Sequence, residues 1–235
     1  MFGRSALAAL AALVFLGLCN PLQAATCYDP TWDYAHAARV RFADGSEFAM
    51  EVRGARDNST DASLLLVKGS APDYLCVPIG PRVRNVQYPF QGVTTIEAVA
   101  LAKQRVIAIV GHYGGGADCC QLLQFLRVSP KSGAVGFNTH GGFALPQLAR
   151  YRHGVNEHGV LIVLLATRVL GADGNLAGPH PYRFARYEYD AASTNFVKVA
   201  EWSSRRSYDL SSAATDVFAA EGVAIDGAAP SGASR

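Results

Sequence analysis

The chain has 235 residues, half of them apolar and 17% charged, with a formal net charge of +2. That length and apolar content support one sizeable core, most simply a single domain. The charges are scattered and nearly balanced. This excludes the basic footprint of a nucleic-acid partner and the basic amphipathic segment of a membrane-surface protein.

The N-terminus opens with a single cation, Arg4, followed by an uncharged apolar stretch over residues 6–18, then Pro21 and the small residues Ala24 and Ala25. Charged start, apolar core and small-residue cleavage site together predict a secretory signal peptide over residues 1–24. The apolar stretch is shorter than the about 20 residues a spanning helix needs, so no stable membrane anchor is expected after cleavage. Leu18, which is not small, precedes Cys19 and argues against a lipoprotein. The expected layout is a signal over 1–24, a single domain over 25–210 and a flexible tail over 211–235, in a periplasmic or secreted protein.

Four cysteines remain after cleavage: Cys27, Cys76, Cys119 and Cys120. An even count in an exported chain reads as disulfides, and four cysteines allow three connectivities. On a strand, the adjacent Cys119 and Cys120 point to opposite faces and each seeks its own partner. In a turn they can bond to each other, leaving Cys27 for Cys76. Both arrangements stay open.

The clearest predicted element is a hairpin over residues 38–53. Val40 and Phe42 alternate with Arg39 and Arg41, and Phe48, Met50 and Val52 alternate with Glu47, Glu51 and Arg53, on either side of Asp44-Gly45. Alternation flanking Asp-Gly is a strong hairpin signal. The opposed arginines and glutamates suit an exposed sheet face. A polar loop, residues 56–61, leads to a short apolar run over 63–67. Another short strand is expected over 75–79, closed by Pro78, Gly80 and Pro81. Residues 96–103 suit helix and strand equally.

The second half reads as two similar units. Residues 106–110 form an apolar run, followed by the glycine loop 114–118, a run over 122–128, a turn over 129–133 and a further run over 134–137. Residues 160–165 repeat the theme, with a Gly/Asp/Pro loop over 171–181, a strand from Tyr182 to Tyr189, a turn over 190–195 and a strand over 196–202. Strand, glycine loop, strand, turn, strand at this offset suits propeller-like blades. Beyond Ser211 the chain is Ala, Gly, Ser and Pro with few large residues, which predicts a loose tail. No long segment carries a helical period. The expected fold class is all-β, a partial propeller-like or sandwich domain of short antiparallel strands.

The stretch Tyr113-Gly114-Gly115-Gly116-Ala117-Asp118-Cys119-Cys120 resembles a motif of exported bacterial proteins that carry Tyr-Ser-Gly-Gly-Ala-His-Cys-Cys after a hydrophobic strand. Gly114 stands where that group has Ser, and Asp118 where it has His. The resemblance covers eight residues and the strand before them. It implies a β-propeller or half-propeller fold and an exported compartment, and no particular activity.

Candidate chemistry is sparse. Phosphate cradles need glycine-loop amides opening a helix, whereas residues 114–116 lie between strand-like runs, with no Lys, Ser or Thr at the P-loop positions. They read as a tight turn using glycine's access to positive φ. His153 and His158 are five apart, not the four of a zincin helix, and Gly154 and Gly159 oppose a helix there. A metal-dependent enzyme would need His112, His140, His153 and His158 to converge, and no recognised ligand spacing supports that. Asp57, Ser59 and Asp61, and likewise Asp173 and Asn175, alternate as calcium loops begin. Position 12 from Asp57 is Lys68, not the closing Glu. No Gly-x-Ser-x-Gly elbow occurs. Tyr182, Phe184, Tyr187 and Tyr189 cluster with Arg183 and Arg186; they read as a buried face with surface tyrosines, or as an exposed recognition face.

Export, disulfides and an all-β scaffold with no reactive constellation favour a non-catalytic binding protein, plausible as an inhibitor or immunity factor against a cell-envelope enzyme, with an envelope or secreted protein as partner and no cofactor. A metal-dependent periplasmic enzyme and a structural envelope protein are the alternatives. Binding is expected from the two glycine loops, through Tyr113, Gly114, Gly115 and Asp118 in the first and Asp173, Asn175 and His180 in the second. Their matching places in the two units would bring them to one edge of the fold.

Overall fold

A computed structural model describes residues 33–54, 63–68, 74–79, 82–83, 86–87, 92–101, 104–112, 121–129, 133–136, 142–146, 149–171, 178–209 and 216–226. The described residues are all-β apart from one helical turn. The first sheet is a meander of β1 (Asp33–Arg41), β2 (Glu47–Gly54), β3 (Ser63–Lys68) and β4 (Tyr74–Ile79). A two-stranded ribbon, β5 (Arg82–Val83) and β6 (Val86–Gln87), follows. The second sheet is the meander β7 (Gly92–Val99), β8 (Val106–His112), β9 (Gln121–Ser129) and β10 (Gly133–Gly136). The short β11 (Phe143–Leu145) shares an edge of β9 with β10, end to end. The third sheet is the meander β12 (Arg150–Val155), β13 (Leu161–Arg168), β14 (His180–Asp190) and β15 (Asn195–Tyr208). All pairings are antiparallel.

The Asp44-Gly45 hairpin forms, with Val40 opposite Phe48 and Arg41 opposite Glu47. Gly45 takes φ +81° at its tip. Residues 96–99, ambiguous in sequence, belong to β7. At the entry to β11, Gly142 takes φ +121°, and a Cβ there would sit 2.6 Å from the Leu123 carbonyl oxygen.

The three sheets stack face to face. Alternation along each strand sends odd and even residues to opposite layers. Val40, Phe42 and Met50 of the first sheet meet Ile96, Ile107, Ile109, Leu122 and Leu126 of the second. The other face of the second sheet, carrying Val106, Ala108, Val110, Leu123 and Phe125, meets Leu161 and Val163 of the third. β8 is therefore buried on both faces, which explains its unbroken apolar run. β13 is the same: its other face, Ile162, Leu164 and Ala166, packs with Tyr182, Phe184, Val217, Phe218 and Val223.

The three meanders run in the same direction. Arg105, which leads into β8, bonds Asp44 in the β1–β2 turn at 2.8 Å, so the first turns of the first two sheets share an end. Thr95 and Glu97 of β7 stand beside Tyr151 and His153 of β12 in the same order, which makes those first strands parallel.

The two outer faces of the stack differ. The described part of the first sheet's outer face carries the exposed Arg39, Arg41 and Glu47, joined by ion pairs of 3.6 and 3.0 Å. The third sheet is covered by residues 216–226, part of the stretch expected to be a flexible tail. Asp216 caps the short helix α1 (Val217–Ala220) by accepting from the Phe218 and Ala219 amides. The reason is that four large apolar residues, Val217, Phe218, Val223 and Ile225, stand among the small ones and meet an uncovered apolar face.

Candidate functional site

The loops expected to bind lie mostly outside the described residues: Tyr113, Gly114, Gly115, Asp118, Asp173 and Asn175, as do Cys27, Cys119 and Cys120. Cys76 is placed only as backbone, on β4 opposite Leu66. The strand ends that carry the loops are well placed. Residues 113–120 join β8 to β9, and residues 172–177 fall between β13 and β14. Each connection therefore joins the second and third strands of its meander, as residues 55–62 do in the first sheet. Because the meanders run alike, all three connections start from the end of the stack opposite the Asp44–Arg105 contact.

The bases of the two later loops are built differently. His112 and Gln121 face each other across β8 and β9, with His112 Nε2 3.3 Å from Gln121 Nε2. The β13–β14 base is stapled by Arg168, only 7% exposed. Its guanidinium donates to the carbonyl oxygens of Gly178 and of Tyr208, the latter at 3.3 Å. The Val169 amide donates to the Pro181 carbonyl at 2.9 Å, and His180 begins β14 opposite Tyr208. Leu170, beside this base, is one of two large exposed apolar side chains among the described residues.

Among the described residues the histidines do not gather. His158 and Glu157 are exposed in the β12–β13 turn, 3.6 Å apart, while His153 points into the stack, and His140 lies outside the described residues. Among the described residues no three His, Cys, Asp or Glu side chains are placed to hold a metal. The calcium-like alternations at residues 57–61 and 173–175 also lie outside them. The aromatic stretch on β14 is divided between faces: Tyr182 and Phe184 turn toward α1, and Tyr187 and Tyr189 toward the second sheet. Arg186 is buried and donates to Glu188 and to the Ile225 carbonyl. An exposed Arg/Tyr recognition face is thus absent there.

One polar cluster was not foreseen. At the seam between the second and third sheets, Glu97 Oε1 lies 2.8 Å from His153 Nε2. The His153 side chain is 11% exposed and that of Glu97 51%. The imidazole stacks on Tyr151 (centroids 6.3 Å apart, 7° between planes) and meets the Phe125 ring edge to face at 5.3 Å. Burial pushes the Tyr151 phenol up, Glu97 adds to the rise, and the Thr95 hydroxyl offsets part of it. That hydroxyl is buried and makes no well-formed hydrogen bond. The pair is a polar contact set into the aromatic packing of the seam. The sequence signal was the spacing Thr95-x-Glu97 and Tyr151-x-His153, legible only once both segments are known to be first strands.

No known family model, curated protein or solved structure matches the chain.

Proposed function

We propose that the protein is an exported, non-catalytic binding protein of the periplasm or cell exterior, an inhibitor or immunity factor against a cell-envelope enzyme. In this reading the three parallel-running meanders are blades of a partial propeller, and cystines among Cys27, Cys76, Cys119 and Cys120 lock it in an oxidising compartment. The observation that carries the reading is the common direction of the three sheets. It starts the second-to-third-strand connections from one end of a rigid stack, and loops on rigid scaffolds are where binding concentrates. Arg168 and the His112–Gln121 contact set firm bases for the two glycine loops.

The test is capture from envelope extract with the mature protein, with variants in which residues 114–118 or 171–177 become Gly-Ser, and with Arg105→Ala at the far end. A partner held by the parent and by Arg105→Ala, and weakened about tenfold or more by either loop change, is expected on the scale of one lost hot-spot contact. Equal retention by all four proteins, or no partner at physiological salt, sinks the reading. Mass spectrometry of the same native material should show a cleaved leader and no free thiols.

A further inference from the structure

We draw no further inference here: the strongest candidate, the buried Arg168 guanidinium at the base of the β13–β14 connection, belongs to the site already described, where it staples the Gly178 and Tyr208 carbonyls, and nothing in the structure shows a group that could reach its buried Nε.

Discussion

The two seams of the stack share a topology and differ in how they are filled. The first seam is mainly aliphatic among the described residues: Val40, Met50, Ile96, Ile107, Ile109, Leu122 and Leu126 interleave around the buried Phe42 ring. The second is organised around Phe125, which meets Phe143 at 6.4 Å, Phe196 at 5.3 Å and His153 at 5.3 Å. Phe143 in turn meets Tyr187 and Phe196, each at 5.0 Å. The first seam's polar contact, Asp44–Arg105, lies at a turn outside the core, with Arg105 against the Phe48 ring. The second seam's, Glu97–His153, carries a nearly buried ring into the packing. An aliphatic seam spreads its stabilisation over many small contributions. An aromatic one concentrates it in the ring that the others touch, because each ring pair adds about 0.5–1.5 kcal/mol beyond its buried area.

The largest expected effect tests that concentration. Phe125→Ala should cost about 3–5 kcal/mol, the range for emptying a buried phenyl site, since Phe125 is fully buried. Ile109→Val, a one-methylene loss at an equally buried place in the first seam, should cost about 0.5–1.5 kcal/mol. Urea unfolding of both variants measures this. A Phe125→Ala loss as small as that of Ile109→Val would break the comparison, because it would mean the aromatic seam spreads its energy too.

A smaller effect sharpens what the polar pair contributes. The Glu97 carboxylate is half exposed, so Glu97→Gln should cost at most about 1 kcal/mol, as solvent-screened pairs do. His153→Ala should cost more, because it removes a ring packed against Phe125 and Tyr151. The same unfolding measurement ranks them. If the glutamate change costs more than the histidine change, the pair is an electrostatic anchor and not a packing element with a polar rim.

Much of this layering was legible in the sequence, by a rule that two kinds of strand obey. The alternating hairpin, residues 38–53, marks an end layer with one wet face. The unbroken runs at residues 106–110 and 160–165 mark strands covered on both sides, which is how β8 and β13 are buried. The hairpin, the all-β class and the matching places of the two glycine loops follow from those patterns. β12 was not legible. Its residues, Arg150–Val155, are mostly polar or aromatic and all half-buried, so neither alternation nor a run announces them. The segment that covers the third sheet, residues 216–226, was hidden for a related reason. A segment that buries only a few side chains leaves no period, and its four apolar residues are diluted by alanine and glycine. The Glu97–His153 contact joins residues 56 positions apart, and only the parallel run of β7 and β12 brings them together.

The smallest effect separates the seams by pH. Asp44 accepts hydrogen bonds from the Ser46 hydroxyl at 2.5 Å and amide at 3.0 Å, and Arg105 adds a third. The Ser46 bonds, with Arg105 behind them, hold its carboxyl down at about 2, from an ordinary value of 3.8. A depressed carboxyl pKa stabilises the fold above the ordinary value, and that stabilisation is lost as pH falls toward the folded one. Lowering pH from about 4 to about 2 should therefore loosen the end of the first seam. The site is open to solvent, so the loss should be slight and should shrink further with salt. Asp44→Asn keeps an acceptor for Ser46 but cannot titrate, so melting temperatures of the variant should fall less steeply than the parent's across that interval. Parallel curves for the two proteins would mean that the turn's carboxylate does not couple to folding, and that the acid response lies among the other carboxylates of the stack.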